Sequence, residues 1–292
     1  MNEIIRCENI SQYYGDKLVY KNINFGVEEG KILGLLGKNG TGKTTIINIL
    51  NGYLTPTEGR CTIFGHDVRN LTPNDKARIG LLLEGHVQYT FLNVNQIERF
   101  YSRFYPNWNA DAYYDLIKQL HISEHQRIAS MSCGQRSQVA LGLIFAQNPE
   151  VLILDDFSMG LDPGYRRLFI ERLLEFVRNR KKTVFLTSHI IQDMEMLIDD
   201  CMVFDYGRVL LHKPTAEIMN TFRRYTFDSE CDAIPHIVGL WHTARVGKQW
   251  ETYSFLSEEM VHSLLEEYAA RNIVCHSNLS LEDAFIGLTG KY

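Results

Sequence analysis

The apolar positions of this chain gather into three short, almost unbroken runs: "KILGLLG" (31–37), "VLILDD" (151–156) and "KTVFLTSH" (182–189). Runs of this length, closed by glycine or polar residues, are expected as strands buried on both faces of a parallel sheet. Directly after the first, "TTIINIL" (44–50) changes to a helical period, with Ile46, Ile47 and Leu50 on one face. Strand, glycine loop and helix in that order open an α/β fold.

Between about 85 and 145 helical spacing dominates, as in Tyr113, Leu116, Ile117 and Leu120 at i, i+3, i+4 and i+7. This predicts a helical subdomain inserted into the α/β core. "YPNW" (105–108) interrupts it, and Asp111 is a candidate cap for the helix that follows. After about residue 215 a separate pattern begins. "EEMVHSLLEEYAARN" sets Val261, Leu264, Leu265, Tyr268 and Ala269 on one helical face. "NIVCHS" has strand character, and "SLEDAFIGL" is expected as a last helix capped by Ser280. The expected division is an α/β domain over 1–217 and a small accessory αβ segment over 218–292.

Composition narrows the class without naming it. The 292 residues are 45% hydrophobic and 22% charged, ordinary for a globular protein. A net charge of −5 gives no sign of nucleic acid or an anionic surface as partner. The six cysteines (7, 61, 133, 201, 231 and 275) have no metal-ligand spacing and no signal peptide before them, so reduced thiols in the cytosol are the simplest expectation. No apolar run approaches the roughly 20 residues a spanning helix needs. A membrane role would therefore require another subunit.

"GKNGTGKT" (37–44) fits the phosphate-loop pattern G-x-x-x-x-G-K-[ST]. Its glycines let backbone N–H groups turn toward phosphate oxygens. Lys43 is placed to reach the β- and γ-phosphates, Thr44 to offer a hydroxyl to Mg²⁺, and the following helix to aim its positive end at the anion. Gly37, Asn39, Gly40, Gly42, Lys43, Thr44 and Thr45 are the candidate nucleotide contacts. A chance glycine-rich turn is the alternative, and the flanking strand and helix argue against it.

"MSCGQRSQVALGLIFAQNPEVLILDD" (131–156) resembles the signature motif, helix and Walker B strand of ATP-binding cassette (ABC) ATPases, whose signature is LSGGQ. The resemblance covers about residues 3–215. It implies a P-loop NTPase core of ABC type, an α/β fold with the helical insert. "YPNW" and the ending "LEDAFIGLTG" are similar to the bacterial ABC-2-type exporter group, which includes handlers of peptide antibiotics. Several roles follow from the resemblance. Tyr14 would stack on adenine. Glu84 stands at the Q-loop position, where a Gln commonly touches Mg²⁺ or the attacking water. Asp155 would hold Mg²⁺ through water. "GLDP" (160–163) matches the D-loop, and His189 the switch histidine at the γ-phosphate. Ser132, Gly134 and Gln135 belong to the signature, which acts in trans on the ATP held by a second subunit.

The family normally carries Glu where this chain has Asp156, and often Pro where it has Phe157. The acid at this place polarises the attacking water. Aspartate is shorter by one methylene, roughly 1.5 Å, and general bases contribute about 10²–10⁴-fold. Hydrolysis could be slowed while ATP binding stays intact. The implied activity is ATP hydrolysis, with ATP and Mg²⁺ as cofactors. The implied partners are a polytopic membrane permease and a second ABC ATPase subunit, at the cytoplasmic face of the cell membrane. A low-activity regulatory subunit and a soluble ABC ATPase are the alternatives.

Overall fold

The computed structural model describes residues 2–83 and 89–290. An antiparallel hairpin opens the chain, β1 (Glu3–Tyr14) and β2 (Lys17–Glu28). Then come β3 (Ile32–Gly37), α1 (Lys43–Leu50), β4 (Glu58–Ile63), β5 (His66–Asp67), α2 (Pro73–Ala77) and β6 (Ile79–Leu82). The helical insert holds α3 (Val94–Tyr101), α4 (Ala110–Gln119) and α5 (Cys133–Gln147). The core resumes with β7 (Val151–Leu154), α6 (Pro163–Asn179), β8 (Thr183–Thr187), α7 (Ile191–Leu197), β9 (Asp200–Asp205), β10 (Arg208–Pro214) and α8 (Thr215–Thr221). The final stretch is β11 (Arg223–Asp228), β12 (Leu240–Val246), β13 (Gln249–Ser254), α9 (Glu258–Glu266), β14 (Arg271–His276) and α10 (Leu281–Thr289).

The strands of the described residues form three sheets. The central one has the order β10-β9-β3-β8-β7-β6 and is parallel except for β10. All three apolar runs lie in it, and every residue of β7 and β8 is buried. The sheet is covered on both faces, which is why these strands show no polar alternation. A second sheet, β2-β1-β4-β5, shares a core with the other face of β3 and with α1. Ile46, Ile47 and Leu50 are fully buried there. Cys7 and Cys61 are paired neighbours on β1 and β4, and all six cysteines are free thiols.

The insert has a core of its own around Val94, Ile97, Tyr113, Ile117 and Val139. Helix α4 is capped by Asn109, whose side chain accepts the Ala112 amide, while Asp111 sits within the first turn. The expected cap was thus two residues too late. Asn109 has the extended backbone a cap requires, and Asp111 is already helical.

The third sheet, β12-β13-β11-β14, packs against α9 through Tyr225, Phe227, Trp250, Val261 and Leu265. Helix α9 ends at Glu266, so Tyr268 and Ala269 fall beyond it, Ala269 with a positive φ of 51°. Two residues of the anticipated helical face therefore belong to a turn. Helix α10 is capped by Ser280 in a reciprocal box with Asp283. It returns to the main core, where Leu281, Ala284, Phe285 and Leu288 are buried.

Candidate functional site

Strand order builds the site. β8 lies between β3 and β7, and all three run parallel. Their carboxyl ends therefore emerge side by side. The glycine loop follows β3, the acidic pair follows β7 and His189 follows β8, so segments separated by more than a hundred residues share one edge of the sheet. Ligands of open α/β sheets bind at such an edge.

The loop depends on glycine at two points. Gly40 and Gly42 have φ of 79° and 100°. At Gly42 a Cβ would also come within 2.7 Å of the Val19 side chain. Gly42 caps α1 without a side chain, leaving the helix's first amides to the cavity. Lys43 begins α1 and is buried; its ammonium donates to the carbonyls of Gly37 at 2.6 Å and Lys38 at 3.1 Å. Burial holds its pKa below that of a free lysine, against the opposing pull of Asp156 and Asp155.

Thr187 ties the two acids to the neighbouring strand. Its hydroxyl donates to Asp155 Oδ1 at 2.7 Å and accepts the Asp156 amide at 3.0 Å. Asp156 has a left-handed backbone, φ 46°. Aspartate is among the few non-glycine residues that enter this region readily. Phe157 is fully buried and stacks on Phe169 with centroids 5.6 Å apart, anchoring the turn. Asp156 Oδ1 accepts the His189 backbone N–H at 3.1 Å. Its Oδ2 lies 2.9 Å from His189 Nε2 yet takes no aligned hydrogen bond among the described residues.

These groups surround a cavity of about 390 Å³. Of the expected residues, Tyr14, Asn39, Gly40, Gly42, Lys43, Thr44, Thr45, Asp155, Asp156 and His189 line it. Gly37 is part of the loop but contributes its carbonyl to Lys43 instead. Glu84 lies outside the described residues. Lys17, Leu18, Val19, Thr187 and Ser188 also line the cavity and were not anticipated. Thr187 and Ser188 had a signal, two hydroxyl residues between the apolar run and His189. The hairpin residues had none, because only folding brings β2 over the loop.

Ser132, Gly134 and Gln135 are not in this cavity. They form the start of α5, where the Ser132 hydroxyl accepts the Gln135 amide at 3.1 Å and the Gln135 side chain accepts the Ser132 amide at 3.2 Å. This reciprocal cap is one sufficient local reason for Ser and Gln at that spacing. Gly134 is buried beneath Tyr165, and a Cβ there would lie 2.4 Å from its ring.

Residues 20–158 match the family model described as ABC transporter. This chain carries an ABC transporter ATPase domain. ATP is the nucleotide that such a domain binds and hydrolyses. The ATPase is 27% identical to the Nod factor export ATP-binding protein I of Cupriavidus metallidurans, over 100% of this chain and 99% of that protein. It is 28% identical to the bacitracin transport ATP-binding protein BcrA of Bacillus licheniformis, over 77% of this chain and 74% of that protein. Among solved structures, an ATP-binding subunit of an ABC transporter superposes with a TM-score of 0.66 at 25% identity, covering 74% of this chain and 91% of the other. The ATPase has no helix among its described residues long and apolar enough to cross a membrane.

Proposed function

We propose that this ATPase powers a membrane exporter for peptides, antibiotics or other amphipathic compounds, bound at the cytoplasmic face to a polytopic permease. The observation that carries the ATP chemistry is the meeting of Lys43, Asp155, Asp156 and His189 around one cavity. Lys43 and the loop amides hold the phosphates. Asp156 orients and deprotonates water, and His189 stands beside it at the γ-phosphate end. Tyr14, half exposed at the cavity rim, offers its ring to adenine.

The donor set fits Mg²⁺. The Thr44 side chain and the Asp155 carboxylate line the same cavity, and Mg²⁺ takes one or two protein oxygens besides water and phosphate. When bound, the ion neutralises phosphate charge. Thr187 keeps Asp155 oriented toward that position.

The relatives named for export and transport support the exporter reading. So does a second cleft of about 420 Å³ between the central sheet and the insert, lined in part by Tyr53, Leu71, Leu83, Tyr101 and Leu143. Exposed aromatics continue from it, with Phe100 edge-on to both Phe104 and Tyr89. An apolar patch of this kind marks an interaction surface, and an apolar segment of the permease is the occupant we assign to it. The signature residues act on a second subunit's ATP, which accounts for their distance from this chain's own cavity.

Purification from native membranes tests the reading. A polytopic membrane protein is expected to accompany the chain, and Mg²⁺-dependent hydrolysis to require Lys43. Ser132→Arg is expected to leave ATP binding by the single chain intact and to block ATP-driven pairing. Recovery of the chain with no membrane protein would reject the exporter role. A low-activity regulatory subunit is the second reading, favoured by the shorter acid at 156, and absence of single-turnover hydrolysis at this chain's site would select it.

A further inference from the structure

The last helix ends against the phosphate loop. The carbonyl of Thr289, the final residue of α10, accepts a hydrogen bond from Lys38 Nζ at 3.0 Å, and Lys38 is only 8% exposed. Carbonyls in the last turn of a helix have no partner within it and form the negative end of its dipole. A lysine ammonium is well matched to that place. Lys38 is also the second residue of the phosphate loop, and its own carbonyl is one of the two that hold the Lys43 ammonium.

The other end of α10 is fastened to the switch segment. The Leu281 amide donates to Glu195 Oε2 at 2.8 Å, and Gln192 donates to Glu282. Gln192 and Glu195 belong to α7, which starts at Ile191, two residues beyond His189. One helix thus spans from the helix behind His189 to the loop around Lys43. The third sheet closes its own core against α9 without it.

We infer that α10 is a positioning element of the ATP site, coupling nucleotide occupancy at the loop to the C-terminal segment through Lys38 and Glu195. The inference rests on the reading that Lys43 holds the phosphates of ATP. A phosphate in the loop draws the Lys43 ammonium from the Lys38 carbonyl. The backbone at Lys38 then relaxes, and its side chain carries the change to the end of α10. Linkage makes the effect reciprocal, so whatever loosens α10 alters ATP affinity. Neither Lys38 nor Glu195 is a catalytic residue; both act through the segments they hold.

Hydrogen exchange of the amides of 281–290, measured on the full chain with and without ATP, tests this. ATP is expected to change their exchange severalfold in the wild type. Lys38→Met should abolish that response and shift KM for ATP about three- to tenfold with little change in kcat. Lys38→Arg, which keeps a donor, should restore both. Glu195→Ala should blunt the response from the far end, and Glu195→Gln should preserve it through its remaining acceptor. Exchange in α10 that ignores ATP in a wild type that binds ATP overturns the inference alone, as does a Lys38→Met response equal to wild type. A wild type that binds no ATP overturns the ATP reading, and this inference with it. Should Lys38→Met fail to fold, the wild-type exchange and the Glu195 pair still decide.

Discussion

Asp156 and His189 meet twice: the backbone N–H of His189 holds one carboxylate oxygen at 3.1 Å, and its Nε2 stands 2.9 Å from the other. The first contact fixes the acid. The second leaves Oδ2 beside an imidazole without an aligned hydrogen bond, a suitable place for a base that must receive a proton. Asp156→Asn keeps the size and the backbone contact but loses the base. Single-turnover hydrolysis is expected to fall about 10²–10⁴-fold with ATP binding preserved. An unchanged rate would make Asp156 a structural residue.

Asp156→Glu restores the acid usual in the family, yet the backbone here favours aspartate. A longer side chain must hold φ 46° and swing past His189. Left-handed strain costs of order 1 kcal/mol or more for residues less suited to it. Turnover is expected to fall and the melting temperature to drop by a few degrees. A rise in steady-state turnover would show that reach toward the water, not backbone geometry, limits this site.

Lys43 gives the site a pH dependence whose sign changes with ligand. Its pKa is lowered by burial, so the folded chain binds this proton less tightly than the unfolded chain does. The resulting cost is full below the folded value and disappears as pH rises past the unfolded one. Nucleotide-free stability in urea should therefore rise with pH through that interval, relative to Lys43→Met. ATP favours the ammonium, so the stabilisation that ATP confers should decline over the same interval. Parallel curves for wild type and Lys43→Met would reject the assignment.

Gly134 and Tyr165 can be tested as a packing pair. A methyl group at 134 would stand 2.4 Å from the Tyr165 ring. Gly134→Ala is expected to destabilise by about 1–3 kcal/mol through overpacking, and Tyr165→Ala should recover part of that loss in the double variant. Thermal melts of the four chains measure the coupling. Additive effects would mean that Tyr165 is not what restricts residue 134 to glycine.

Much of the core, and of what lines the cavity at its strand ends, was legible along the chain, because the signals are local. An apolar run as short as 151–154 needs burial on both faces, and a loop with glycine at 40 and 42 needs what only glycine supplies. Ser132 and Gln135 satisfy a cap within four residues. Each of these follows from the chemistry of neighbours in sequence. The boundaries that failed, Asp111 as cap and Tyr268 within α9, turn on one or two residues of backbone conformation. Periodicity does not resolve that.

Other features depend on strand order, which no local pattern carries. Placing β8 between β3 and β7 is what joins Lys43, the two aspartates and His189. The left-handed turn at Asp156 comes from the same packing, with Thr187 holding its amide and Phe157 buried against Phe169. The grip of α10 on Lys38 spans 251 residues of sequence. A helix's apolar face shows in its sequence, but the surface that receives it is assembled from distant segments and exists only once they have folded together.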